Sequence, residues 1–257
     1  MKIVDTHAHL HFPQFKSDLQ SLINRSSSDG IDFVINVGID VHDSIQSLKL
    51  AQKFSQIFCS VGVHPHEASK VEKDYIHKLR ELTADPKVVA IGETGLDYYR
   101  NLSSKEDQKR VFREQLLLAK ELDLPVIVHI RDAYEDAYQI LSEIGLPIAG
   151  GVVHAFSADI TWALKFIELG CFIGIGGPLT YPKNIVLKNV VRAIGAENIV
   201  TETDCPYLPP QQFRGKRNEP AYVRFVVEEI SKILNESPQS ISLKLLQNAK
   251  ELFVISR

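Results

Sequence analysis

Histidines and carboxylates recur along this chain where short apolar runs end. His7 and His9 follow Lys2–Asp5, His64 and His66 follow Ser60–Val63, and Glu93 follows Val88–Gly92. His129 follows Val126–Val128, His154 follows Gly151–Val153, and Asp204 follows Ile199–Thr203. His7 and His9 are two apart, so on an extended backbone both imidazoles leave the same face and could chelate one ion. Adding His129, His154, Glu93 and Asp204 supplies enough donors for two divalent cations with a bridging ligand. Nitrogen and oxygen donors without thiolate suit Zn, Mn or Mg. Such a pair of ions activates water for hydrolysis. Taken singly, each residue has a plainer reading: a hydrogen-bonded buried histidine, a capping or salt-bridging Glu93, a turn Asp204 before Pro206. Their coincidence at corresponding positions favours the metal reading.

Such convergence requires particular elements. Apolar runs at Lys2–Asp5, Phe33–Val37, Phe58–Val61, Val88–Ile91, Val126–Val128, Gly151–Val153, Phe172–Ile175 and Ile199–Thr201 read as strands buried on both faces. Between them lie helical patterns: Leu19, Leu22 and Ile23 ahead of Gly30, then Lys105 to Leu122 with Ser103 or Ser104 as cap. Ala133–Ile144, Ile160–Leu169 and Ile185–Ile194 continue the series, and the tail holds two more, from Pro220 to Leu234 and from Pro238 to Val254. Eight strand signals separated by helices predict an α/β fold, a (β/α)8 TIM barrel, in which all C-terminal strand ends meet at one mouth. A doubly wound sheet would carry glycines in its first turn. That turn is instead Asp5-Thr6-His7-Ala8-His9, and the best glycine cluster, Gly174-Ile175-Gly176-Gly177, has Leu179 where a third glycine belongs.

The 257 residues suit one domain spanning 1–257, and 24% charged with 44% hydrophobic residues is ordinary globular composition. A net charge of −3 argues against a broad basic surface gripping duplex DNA, though not against a local phosphate-binding mouth. No apolar run approaches the roughly 20 residues of a membrane span, and the first residues lack a secretory core. Cys59, Cys171 and Cys205 fit neither a disulfide framework nor a zinc ribbon; they read as buried thiols in a reducing cytoplasm.

Ordered segments of the chain resemble the TatD-related metal-dependent deoxyribonucleases, a branch of the amidohydrolase-like barrels. They are Asp5-Thr6-His7-Ala8-His9-Leu10, Gly62-Val63-His64-Pro65-His66, Gly92-Glu93-Thr94-Gly95-Leu96-Asp97-Tyr98-Tyr99 and Val128-His129-Ile130-Arg131-Asp132-Ala133. His154-Ala155-Phe156-Ser157, Glu202-Thr203-Asp204-Cys205-Pro206-Tyr207-Leu208 and Phe213–Pro220 follow, with Asn248 before Leu252-Phe253. The resemblance implies a barrel of the metallo-dependent hydrolase type. It also implies that His7, His9 and Asp204 hold one ion, that His129 and His154 hold the other, and that Glu93 bridges them.

The expected reaction is phosphodiester hydrolysis of DNA, with RNA as a further candidate, by a water activated between two ions and acting from single-stranded ends. Asp204 is the candidate to take the proton from that water, with Glu93 its catalytic partner. For substrate, His64 is the expected contact, with His66 as a helix cap. Arg131 and Asp132 divide phosphate contact and imidazole orientation, or form a surface pair. Arg214, Lys216 and Arg217 form a basic loop in which Arg214 or Arg217 meets the nucleic-acid backbone, or which is simply solvated. Tyr98, Tyr99, Phe156, Tyr181 and Tyr207 lie near the expected mouth as base-stacking or core residues. The rival reading is a hydrolase of the same superfamily acting on an ester, amide or aminoacyl-tRNA. A monomer without an obligate protein partner is expected.

Overall fold

A computed structural model describes residues 1–255 of the chain. Its eight strands are β1 (Ile3–Ala8), β2 (Ile31–Val37), β3 (Ile57–Val61), β4 (Val88–Asp97), β5 (Val126–Arg131), β6 (Gly151–His154), β7 (Cys171–Ile175) and β8 (Ile199–Thr201). They form one sheet in sequential order, every neighbour parallel. Helices α1 (Leu19–Ser28), α2 (Val41–Lys53), α3 (Tyr75–Leu82), α4 (Lys105–Leu122), α5 (Tyr134–Ile144), α6 (Ile160–Glu168), α7 (Ile185–Ile194) and α8 (Val223–Leu234) follow successive strands, and α9 (Pro238–Leu252) completes the fold. This is the expected (β/α)8 TIM barrel.

Alternation within the strands builds two apolar layers. Val4, Phe33, Ile35, Val89, Ile127, Val152 and Val200 pack together with Leu246, Ala249 and Leu252 of α9 and with Phe253 just after it. Their alternating neighbours Ile3, Val34, Ile57, Val88, Val126 and Ile199 join the helices in the larger outer layer.

The seam between β1 and β8 closes largely through side chains. Thr201 Oγ1 donates to Val4 O at 3.2 Å, and Thr6 Oγ1 donates to Thr201 O at 3.1 Å. Beyond them, Asp204 N donates to His7 O and His9 N to Cys205 O, both at 2.8 Å. Asp5 is wholly buried at this seam. Its Oδ1 accepts Thr203 N at 2.8 Å, and Oδ2 pairs with Thr203 Oγ1 at 2.6 Å. Burial pushes the Asp5 carboxyl up to about 8, against the opposing hydrogen bonds of Thr203 and His7. Residues 5 to 9 and 203 to 205 are thereby tied together.

Several strands run further than their apolar cores. His7 lies inside β1, Glu93 and Asp97 inside β4, His129 inside β5 and His154 inside β6, rather than beyond the strand ends. Polar side chains break the apolar run, but backbone pairing continues through them. Gly95 belongs to the extended part of β4: at φ 135° it pairs with His129, whose carbonyl oxygen would lie 2.0 Å from a Cβ at that position. Ser104 rather than Ser103 caps α4, accepting Asp107 N at 3.1 Å.

Candidate metal centre

At the C-terminal mouth of the barrel, Glu93 stands between two sets of side chains. Its Oε2 lies 3.3 Å from His7 Nε2 and 3.9 Å from His9 Nε2. Asp204 Oδ1 completes that side, 3.5 Å from His9 Nε2 and 3.9 Å from His7 Nε2. Glu93 Oε1 faces the other side: His129 Nδ1 at 2.9 Å, His154 Nε2 at 3.3 Å and His64 Nε2 at 3.5 Å. One carboxylate therefore presents one oxygen to each group. The structure brings together His7, His9, Glu93, His129, His154 and Asp204, with His64 beside them.

The outer edges of the rings decide what their inner nitrogens can do. His9 Nδ1 donates to Val37 O at 2.9 Å, so its Nε2 lone pair faces inward. His129 Nε2 lies 3.1 Å from Asp97 Oδ2 and His154 Nδ1 lies 3.2 Å from Glu202 Oε1. With the outer N–H given to a carboxylate, each ring in its neutral form turns a bare nitrogen toward Glu93. Partners of this kind fix tautomer and orientation in metal-binding histidines. His7 Nδ1 is buried without a hydrogen-bond partner. His64 is arranged in the opposite sense: its Nδ1 accepts the backbone N–H of His66 at 3.1 Å, which leaves the hydrogen on Nε2.

The electrostatics favour positive charge at the centre. Burial pushes the Glu93 carboxyl up, but His64, His154 and His7 together hold it well below the ordinary carboxylate value. Burial likewise opposes protonation of His154, yet Glu202 and Glu93 carry it well above the usual imidazole value. His9 and His129 are raised against burial by Asp204 and by Asp97 with Glu93. Asp204 stays low despite burial because His9, His154 and His7 surround it. His7 and His64 depart the other way: burial, helped by His154 at His7 and by His129 and His66 at His64, and opposed by Glu93 at both, lowers them, His64 well below the usual imidazole value. Inward lone pairs around shared carboxylates fit divalent cations. His7, His9 and Asp204 offer atoms within 4.8 Å of one another, as do His64, Glu93 and His129.

Two acids escaped the reading from sequence, although both lie in motif segments. Asp97 accepts from His129 and also lies 2.9 Å from His66 Nε2, while its Oδ1 accepts Arg100 N at 2.8 Å. Glu202 accepts from His154 and from Ala155 N. Period-two spacing was the available signal: Asp97 sits four after Glu93, and Glu202 two before Asp204. Asp97, and not Asp132, orients the imidazole of His129. His64, and not His66, caps the short 3-10 helix Pro65–Lys70.

The remaining candidates lie around the rim. The exposed Arg131 stacks over Tyr99 with its guanidinium carbon 3.9 Å from the ring centre. Arg214 lies 4.8 Å above the Tyr181 ring, and Tyr181 Oη donates to Pro209 O. Arg217 is committed elsewhere. Its two terminal nitrogens each lie 2.7 Å from an oxygen of Asp18, and Nη2 also reaches Glu219 at 2.9 Å. Those contacts make Arg217 a tie between this loop and the segment before α1 rather than a free phosphate contact. Tyr98 Oη bonds Asp136, and Phe156 is buried in the core. The three cysteines are buried and unpaired. No helix among the described residues is long and apolar enough to cross a membrane.

The family model for TatD related DNase matches residues 4–254. The chain is 39% identical over 254 residues to the uncharacterized metal-dependent hydrolase YabD of Bacillus subtilis, covering 99% of this chain and 100% of that one. It is 33% identical to the 3'-5' ssDNA/RNA exonuclease TatD of Salmonella typhimurium, over 98% of both chains. Among solved structures, the TatD homologue YJJV of Escherichia coli superposes with a TM-score of 0.93 at 32% identity, covering 99% of this chain and 98% of that one.

Proposed function

The chain belongs to the TatD-related DNase family of metal-dependent hydrolases, and on that premise we propose that it hydrolyses phosphodiester bonds at the ends of single-stranded DNA or RNA with two divalent ions. In this reading His7, His9 and Asp204 hold one ion, His129 and His154 the other, and Glu93 joins them. The chain acts as one catalytic domain. The observation that carries the reading is Glu93 itself, whose two oxygens face two separate sets of inward-turned nitrogens.

Zn, Mn or Mg held by these residues would supply Lewis acidity for activating water and for offsetting charge on the attacking and leaving oxygens. Asp204 has its own share of the chemistry. It stays ionised and its side chain is 17% exposed, against 5% for Glu93, so it is the carboxylate better placed to take a proton from an incoming water. His64 stays neutral and directs its Nε2–H into the site, where it donates to a phosphate oxygen. Arg131 and Arg214, stacked on aromatic rings at the rim, meet the neighbouring phosphates of the strand.

The test is turnover of single-stranded DNA, duplex DNA, RNA and an aminoacyl ester by protein stripped with chelator and then resupplied with Mg²⁺, Mn²⁺ or Zn²⁺. Metal-dependent release of nucleotides from single-stranded ends, abolished in Glu93→Gln, supports the reading. Ester turnover without nucleic-acid cleavage refutes it in favour of a hydrolase with another substrate.

A further inference from the structure

Behind the candidate metal centre, the imidazoles of His7 and His154 lie face to face. Their ring centres are 3.6 Å apart and their planes 16° from parallel. In the proposed centre these two rings belong to different ions. Glu202 lies within reach of both: His7, His154 and Glu202 each offer an atom within 4.8 Å of the others, and all three are buried.

The two oxygens of Glu202 have different surroundings. Oε1 accepts Ala155 N at 2.6 Å and His154 Nδ1 at 3.2 Å. Oε2 is fully buried and has no partner. The same holds for His7 Nδ1. Where His7 Nε2, turned toward Glu93, serves as a metal ligand, the hydrogen of a neutral His7 must sit on Nδ1 and needs an acceptor. The nearby acceptor with unused lone pairs is Glu202 Oε2. A donor and an acceptor left apart in the interior would each carry a desolvation cost, so their mutual satisfaction is strongly favoured.

The barrel makes room for this carboxylate. A Cβ at Gly174 of β7 would stand 2.6 Å from Glu202 Oε2 and 3.0 Å from His154 Cα. Glu202 N donates to Ile175 O, so the residue leans toward β7, while Asp204, two residues on, is bonded to β1.

We propose that Glu202 is a positioning residue shared by the two halves of the metal centre, fixing the tautomer of His154 through Oε1 and of His7 through Oε2. This rests on the two-ion reading given above. Glutamine at 202 would keep its oxygen where Ala155 N requires one and set its NH2 against His7. Glu202→Gln should therefore damage the His7 half more than the His154 half, whereas Glu202→Ala damages both.

The experiment is isothermal titration of chelator-stripped protein with Mn²⁺ and with Zn²⁺, folding being checked by circular dichroism. Wild type is expected to bind two ions. Asp97→Asn, which touches only His129 among the proposed ligands, identifies the affinity belonging to the His129 and His154 half. Glu202→Ala should weaken both affinities, by about 10- to 100-fold as outer partners of metal ligands typically do. Glu202→Gln should chiefly weaken the one that Asp97→Asn spares. Should Glu202→Ala fail to fold, Gly174→Ala displaces the native carboxylate and is expected to weaken both. The proposal is overturned if the Glu202 and Gly174 variants match wild type, or weaken only the affinity that Asp97→Asn weakens. Wild type binding fewer than two ions overturns the two-ion reading itself; two ions with unaffected Glu202 variants overturns this inference alone.

Discussion

Asp97→Asn changes one oxygen for one NH2 without altering shape, and its consequence can be worked from hydrogen positions. Asp97 Oδ2 accepts from His129 Nε2 at 3.1 Å and His66 Nε2 at 2.9 Å, while Oδ1 accepts Arg100 N. An asparagine that keeps its oxygen toward Arg100 turns its NH2 toward His129. The Nε2 of that ring must then accept, which moves the ring hydrogen to Nδ1, where it points at Glu93 Oε1, 2.9 Å away. A protonated Nδ1 is no ligand. Restoring it means giving up a hydrogen bond to a charged acceptor, about 1.5–3 kcal/mol. At about 1.4 kcal/mol per factor of ten, that is roughly a 10- to 100-fold loss of affinity for one ion. Calorimetric titration with Mn²⁺ or Zn²⁺ reads it directly, and the ion proposed for His7, His9 and Asp204 should keep its affinity. Two affinities equal to those of wild type would refute the tautomer argument.

Other perturbations separate the remaining roles. Asp204→Asn should lower kcat on single-stranded DNA by at least about 100-fold, the usual scale of general base catalysis, and full metal-dependent turnover in that variant would remove Asp204 from proton transfer. Arg214→Ala should raise Kd for single-stranded DNA and flatten its salt dependence, whereas Arg217→Ala should lower Tm through loss of its ties to Asp18 and Glu219 and leave the salt slope unchanged. Asp5, with its carboxyl raised from 3.8 to about 8, keeps its proton in the folded state at pH 7. Stability of metal-free protein should therefore fall as pH rises through that interval, because the unfolded chain has already released the proton that the folded chain retains. Asp5→Asn should remove this slope with little loss of Tm near pH 5. Asp5→Leu, which strands the partners on Thr203, should cost about 1–3 kcal/mol there. Melting curves at pH 5 and pH 7.5 check both.

Periodicity was enough to foresee eight strands, because each carries an apolar core that no neighbouring helix imitates. Where the strands ended was harder to see. β4 runs on to Asp97 through Glu93, Thr94 and Gly95, and only backbone pairing with β5 shows it is still a strand. That misplaced end hid Asp97, since a reading that takes one polar residue per strand terminus stops at Glu93. Glu202 was hidden in a similar way by Asp204. The inner donors were legible because His-x-His spacing and strand position constrain them. Their outer partners depend on which ring nitrogen faces outward, which no spacing reveals. Arg217 is a further case: a basic loop residue looks the same in sequence whether it faces substrate or, as here, the carboxylate of Asp18.

The seam that joins β1 to the segment after β8 has a consequence for how the protein comes into being. His7 and His9 leave the ribosome long before Asp204 and the Thr203 contacts that hold β1 in place. A nascent chain therefore carries these two histidines through the synthesis of seven further strands without the acid that completes their set. If the protein cuts nucleic acid as proposed, its cutting power switches on with the docking of the last strand, and the messenger being read is not exposed to a half-built hydrolase.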